Sequence, residues 1–543
     1  MKRPLPIGID DFEKVRSKGY YYVDKSLMIR DFIDMQDEVA LIARPRRFGK
    51  TLNMTMIREF FDITKDSRPL FEGLAIMDTD YAQLINSRPV LYFTFKDGKA
   101  KNEADLCEMM KSEIYREYLR YEKVLRGYWP ADSYEARDFY GMIENLRKPE
   151  VPFVRIALSL RNLSRWVREF YQKEPILLID EYDQPIMSSY EYGYHDEVSA
   201  FFSNFYGSAL KGNSDMGQAL LTGVQRVAKE SIFSQFNNPQ VYTVMSDAYA
   251  PYFGLNPAET EELLAAYGLE LTEKVQNMYD GYQICGSSMY NPWSVLNYAK
   301  TGKLDNYWLK TSANFLVKRA LGKADSNFWK RFERLAVGES VEVTLTLDTS
   351  YVERDGNYSL WGLLVNAGYL TVAKQTSIDT ALVRIPNEEV MSEFQILVAE
   401  LAGIEHLALT EMFDALLKKD MDTFLRLYQE IVVSCTSYMD ARENAYHMLF
   451  LGMCITLRGS YKVTSNLESG YGRSDITLEA LTPHYPSVVV EFKQGENIDR
   501  LKEEALQQIL QQKYYIGLKG EVICIGLAHD KKRCAMVYKT IVV

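Results

Sequence analysis

Three groups of residues in this 543-residue sequence have the types and spacing to do chemistry. The first is ARPRRFGKTLNM (43–54), which follows the apolar run VALIA (39–43) and opens a helical pattern with Leu52, Met56, Ile57 and Phe60 on its apolar face. Strand, loop, Gly-Lys-Thr and helix is the context of a phosphate-binding loop. Backbone N–H groups around Gly49 and the positive end of the helix attract phosphate oxygens. Lys50 is placed to reach the β- and γ-phosphates of ATP, and the Thr51 hydroxyl to ligate Mg2+. The usual pattern, GxxxxGK[ST], has a glycine where this chain has Arg44. That side chain could contact phosphate or a partner, or it could narrow the pocket.

The second group lies in PILLIDEYDQP (175–185) and QALLTGVQRVAKES (218–231). An apolar strand ending in Asp180 and Glu181 is a Walker B pattern. Asp180 would hold Mg2+ through water, and Glu181 would polarise the attacking water as general base. Thr222 ends a second apolar run and could sense the γ-phosphate. Arg226, just beyond it, could contact phosphate in cis or act in trans as an arginine finger. Taken singly, each of these is also how a strand ending in solvated polar groups reads.

The third group sits near the end of the chain. VVVEFK (488–493) places Glu491 and Lys493 two apart, so a strand turns both to one face. Asp475 lies on the preceding strand of a hairpin pattern. Two carboxylates suit a hard divalent cation, Mg2+ or Mn2+, which would polarise a phosphodiester and acidify a bound water. Lys493 would orient that water or stabilise developing charge. Glu443 and His447 share a helix face at i and i+4, so Glu443 could add a metal contact. Gln508, on the helix EEALQQILQQKYY (503–515), could face the same site.

These groups need elements to hold them. The first 248 residues alternate short apolar runs (39–43, 89–95, 175–180, 218–223) with helical patterns, which predicts a parallel sheet covered on both faces. Residues 249–432 are mainly helical, with one long helical pattern at 411–432. There SLWGLLVNAGYLTVAK (359–374) and then ALVRIPN (381–387) read as a helix followed by two strands, a winged-helix-like element or, equally, a plain helix-and-hairpin connector. From 433 to 543 the order α-β-β-β-α-β-β reads as a separate α/β domain. The fold class is therefore α/β in three parts: 1–248, 249–432 and 433–543.

Composition sets limits. An apolar fraction of 47% supports more than one core. No apolar run spans a membrane, and the N-terminus lacks a secretory h-region, so a cytoplasmic location is expected. The six cysteines form no CxxC pair, against zinc and redox motifs. A net charge of −11 argues against broad, nonspecific coating of nucleic acid, though not against a local site. Residues 431–543 are near neutral, with thirteen Lys+Arg and twelve Asp+Glu, so gripping DNA or RNA there would need the other domains, ATP or a partner.

Taken in order, these motifs resemble a bacterial architecture in which an AAA-ATPase-like domain is joined to a C-terminal PD-(D/E)xK nuclease-like domain of the restriction-endonuclease type. The resemblance runs from LPIGIDDFEKVRSKGYYYVDKS (5–26) through ARPRRFGKT, LLIDEYDQP, LTGVQRVAKESIF and YDGYQICGSSMYNPWSVLNY (279–298) to SNLESGYGRSDITL (465–478), VVVEFK and EEALQQI. It implies that Gly49, Lys50 and Thr51 belong to the phosphate loop, with Arg46 and Arg47 as its arginine pair, and that Asp180 and Glu181 are the Walker B acids. The loop also looks like that of archaeal-type STAND ATPases. It further implies a nuclease triad of Asp475, Glu491 and Lys493 with Gln508 as the helix glutamine; Ser474 stands where the proline of that motif would be. The expectation is an ATP-regulated, Mg2+-dependent nuclease acting on DNA or RNA, in defence or on mobile DNA. The rival expectation is a nucleotide-controlled assembly switch, a homo-oligomer, whose last domain is an inactive binding module.

Overall fold

The run Val39–Ala43 (β1) is buried at every residue, as a parallel strand covered on both faces must be. It belongs to a computed structural model that describes residues 2–227, 239–308, 321, 326–336, 338–349, 357–401, 406–434, 443–457, 460–469 and 472–543. Val90–Thr94 (β2), Ile176–Asp180 (β3), Gln218–Gly223 (β4) and Gln240–Tyr242 (β5) complete an all-parallel sheet in the order β2-β3-β4-β1-β5. β4 lies between the strand that feeds the loop and the strand that ends in the acids. Its register sets Thr222 beside Ile42, and Leu221 beside Ile179, so three chemically distinct strand ends open at one edge. Leu41, Phe93, Ile179 and Leu221 pack with Trp166, Phe202 and Phe205 from the covering helices.

The chain divides into two compact units. The first contains residues 1–321 and 342–389, the second 322–341 and 390–543. The stretch read from sequence as a middle region is thus shared between them. Within it, helix α2 (Pro292–Thr301) and helix Asn357–Ala367 belong to the first unit, as does, from Glu342 on, a three-stranded sheet of Val341–Thr344, Thr371–Gln375 and Thr380–Arg384. Helix α3 (Glu388–Leu401) begins in the first unit and carries the chain into the second. The helix expected over 411–432 is two helices, His406–Leu417 and Met421–Ser434. Lys419 between them is left-handed, and the Asp420 carboxylate caps the next helix through the Thr423 N–H.

The second unit holds helix α4 (Glu443–Met453), then Tyr461–Ser469 (β6), Gly472–Ala480 (β7) and Ser487–Gln494 (β8) as antiparallel neighbours. Helix α5 (Ile498–Gln512) crosses over to Glu521–Asp530 (β9), parallel to β8, and Arg533–Val542 (β10) closes the edge. α5 lies hard against β9. A Cβ on Gly526 would stand 2.3 Å from the Lys502 carbonyl oxygen and 2.6 Å from the Leu506 nitrogen. Glycine there lets the helix approach close enough for Gln508 to reach β8. Among the described residues no helix is long and apolar enough to cross a membrane.

Candidate functional sites at two strand ends

At the first site, helix α1 (Lys50–Phe61) starts at Gly49, whose φ of 88° suits only a residue without a Cβ. No side chain caps that helix start, so its N–H groups face outward as an anion-binding end. The Lys50 ammonium is buried. It donates to the Arg44 and Pro45 carbonyls, both at 3.2 Å, and lies 3.4 Å from the Glu181 carboxylate. The Thr51 hydroxyl donates to Asp180 Oδ2 at 2.8 Å, and the Thr222 hydroxyl to Asp180 Oδ1 at 2.6 Å. Gly49, Lys50, Thr51, Asp180, Glu181 and Thr222 therefore come together from three strand ends.

Burial pushes the Asp180 carboxyl up to about 6, and the neighbouring Glu181 charge adds to this; the two threonine hydroxyls pull the other way. Glu181 itself has φ of 52°, a left-handed backbone that a non-glycine residue adopts at some strain. That turn aims its carboxylate at Lys50 rather than continuing the strand.

Arg44 does not line this cluster. Its guanidinium is wholly buried and donates to the Ala43 carbonyl at 3.0 Å and the Tyr242 carbonyl at 2.9 Å, over the ring of Phe253. The expectation that it faces phosphate is corrected: it ties the end of β1 to the end of β5. Desolvation pulls its guanidinium down to about 9, which leaves it cationic at neutral pH. Arg46 is half-buried in the loop, and Arg47 is exposed with its guanidinium 4.2 Å from the centre of the Trp293 ring. The Arg226 backbone forms a two-residue strand that pairs with Asp348 and Thr349, off the main sheet; its side chain lies outside the described residues.

Sequence reading gave no role to Asp183. It is fully buried, and its Oδ2 accepts from the Val224 N–H at 3.0 Å and the Gln225 N–H at 2.8 Å. Burial, then the Glu181 charge, push it up to about 7. Its signal in the sequence was a third acid in the DEYD turn, three residues past Asp180. Thr94, whose hydroxyl reaches Asp180 Oδ2 at 3.4 Å, carried no such signal.

The second site forms where β7, β8 and α5 meet. The Asp475 Oδ2 accepts from the Phe492 N–H at 2.8 Å, and the Asp475 N–H reaches Glu491 Oε2 at 3.4 Å. The Lys493 ammonium is 3.5 Å from Glu491 Oε1, and the Gln508 amide donates to that same oxygen and to the Tyr514 hydroxyl at 3.2 Å. The four residues Asp475, Glu491, Lys493 and Gln508 thus converge. Glu491 is 3% exposed; desolvation, with the Asp475 charge, pushes its carboxyl up to about 8, against the pull of Lys493. His447 is buried against Phe492 and hydrogen-bonded to the Asp475 backbone, and burial pulls it down to about 4, so the ring is neutral. Glu443 begins α4, but its side chain lies outside the described residues. Among the described residues no group of three or more His, Cys, Asp or Glu side chains gathers to hold a metal. The two carboxylates supply hard oxygen donors, which fit a divalent cation completed by water or substrate oxygens.

Residues 6–233 match the family described as predicted AAA-ATPase, AAA-ATPase-like, and residues 441–539 match the PD-(D/E)XK nuclease superfamily. The chain is also similar to an uncharacterized protein in the vnfD 5′ region of Azotobacter chroococcum mcd 1. The two are 28% identical over 406 residues, covering 72% of this chain and 68% of that one.

Proposed function

We propose that this chain, which joins an AAA-ATPase-like domain to a PD-(D/E)XK nuclease superfamily domain, is an ATP-dependent, metal-dependent nuclease acting on DNA or RNA. In the first domain the N–H groups after Gly49 and the Lys50 ammonium hold the phosphates, and Lys50 exchanges its two carbonyl partners for them. Thr51 and Asp180 would hold Mg2+, with Thr222 fixing the Asp180 carboxylate. Glu181 takes the proton of the attacking water. Arg226 follows the same strand end and answers the phosphate charge.

In the second domain Asp475 and Glu491 would hold Mg2+ or Mn2+, which would supply Lewis acidity and an acidified water. Glu491 would hold the cation as its carboxylate, which the Gln508 amide keeps oriented. Lys493 holds the water or steadies the charge that grows on the phosphodiester oxygens. His447 sets the Asp475 backbone.

The observation that carries this reading is the convergence of Asp475, Glu491, Lys493 and Gln508 from two strands and a helix. The test is cleavage of single- and double-stranded DNA and RNA by the purified full chain, with Mg2+ or Mn2+, with and without ATP. Cleavage is expected and should vanish in Glu491→Ala and in Lys493→Ala, and its ATP response in Lys50→Ala. Cleavage that survives in both variants of the second site would sink the nuclease assignment. An ATP-driven change of mass in light scattering with no cleavage at all would favour an assembly switch instead.

A further inference from the structure

The phosphate loop carries two cations that the proposed chemistry leaves unused, Arg46 and Arg47, and Arg47 rests on an aromatic ring outside the loop. Arg47 sits at the turn of the loop with φ of 70°, and its guanidinium lies 4.2 Å from the centre of the Trp293 ring. The neighbouring Phe48 is fixed: it is buried, its carbonyl accepts from the Gly254 N–H at 3.2 Å, and its ring meets Tyr282 edge-on at 4.9 Å. The loop backbone is thus anchored, while the Arg47 side chain is exposed and rests on the Trp293 ring.

Trp293 is itself placed by its surroundings. It stands in the first turn of α2, where the Asn291 side chain caps the Trp293 N–H at 2.9 Å, and its indole N–H donates to the Tyr307 carbonyl at 3.1 Å. The next residue, Ser294, donates to Glu389 Oε2 at 2.7 Å, and the Trp308 N–H donates to Glu389 Oε1 at 2.7 Å. Glu389 is buried in the first turn of α3, the helix that carries the chain into the second unit.

We propose that Arg47 and Trp293 are a phosphate-sensing pair of the nucleotide site. Arg47 rests on the indole and leaves it for the phosphates when the loop is filled. A guanidinium–phosphate contact outweighs an exposed cation–π contact, so the exchange runs in that direction. The start of α2 loses a partner in the exchange, and Ser294 and Glu389 connect that change to the root of α3. The proposal rests on the reading of the loop as an ATP site and names two residues that report its filling.

The test uses the full chain. Calorimetry measures ATP binding, and tryptophan emission is followed in the same titration. Wild type should show an emission change that saturates with ATP. Arg47→Ala, at an exposed position, should lose the change and bind ATP about tenfold more weakly. Trp293→Leu should lose the change and bind ATP about two- to fivefold more tightly, because the competing rest position is gone. A merely structural tryptophan would not give tighter binding on removal. ATP binding with unchanged emission, or weaker or equal binding in Trp293→Leu, overturns the sensing pair and leaves the ATP site standing. No ATP binding in wild type removes both.

Discussion

At the end of β3 the Asp180 carboxylate is answered by two hydroxyls, Thr51 at 2.8 Å and Thr222 at 2.6 Å. At the end of β8 the Glu491 carboxylate is answered by the Gln508 amide and, at 3.5 Å, by the Lys493 ammonium. Both sites combine two acids and a lysine beside a buried strand, yet their proton affinities differ. Asp180 is pushed up to about 6 and Glu491 to about 8. Two short hydroxyl contacts favour the charged form enough to keep Asp180 ionised at neutral pH. Glu491, beside the second carboxylate of Asp475 and shut from water, is held as the acid at neutral pH. The same residue types thus make one site whose acid is ionised at neutral pH and another whose acid is held protonated.

Four changes would break or sharpen that contrast. The largest effect is expected from Glu491→Ala, which should lower cleavage by about a thousandfold or more while ATP turnover stays as in wild type; parallel loss of both would show one site, not two. Glu181→Gln should lower ATP turnover by about a hundredfold to ten-thousandfold with ATP binding kept, read by a phosphate-release assay beside calorimetry. Equal turnover would remove Glu181 from the base role.

The third is a pH series. Below its folded-state value an acid must lose a proton before it ligates, so each pH unit lower weakens binding by about tenfold. Mn2+ affinity of the second site should therefore climb from pH 6 and level off above about 8, where its surroundings set Glu491. Mg2+ dependence at the first site should level off above about 6, following Asp180. Coincident plateaus would erase the contrast. The smallest effect belongs to Thr222→Val. It removes the 2.6 Å donor to a buried carboxylate and should destabilise the first unit by about 1–2 kcal/mol in urea unfolding. An unchanged midpoint would mean that Thr51 and Thr94 satisfy Asp180 without it.

Much of both sites was legible along the chain because strands and helices have fixed periods. Glu491 and Lys493 share a face by alternation, and the VALIA run and the Gly-Lys-Thr that follows needed no partner to be read. What was misread or missed concerns groups whose partners are remote. The fate of Arg44 depends on the Tyr242 carbonyl, 198 residues away. The burial of Asp183 depends on the Val224 and Gln225 N–H groups across the sheet end. The long helix over 411–432 was a sum of good local propensities, broken by one left-handed residue at Lys419.

By itself, the sequence determined which residues could hold phosphate and divalent cations, and on which strand or helix each would ride, since local period and composition are properties of neighbours in the chain. Only the tertiary structure decided that β4 lies between β1 and β3 and so brings Thr222 to Asp180. It alone turned Arg44 inward, set Arg47 on Trp293 and pressed Gln508 onto Glu491. Those outcomes depend on strand order, helix approach and exclusion of water, which no stretch of chain fixes alone. Such packing also sets the proton affinities that separate the two sites.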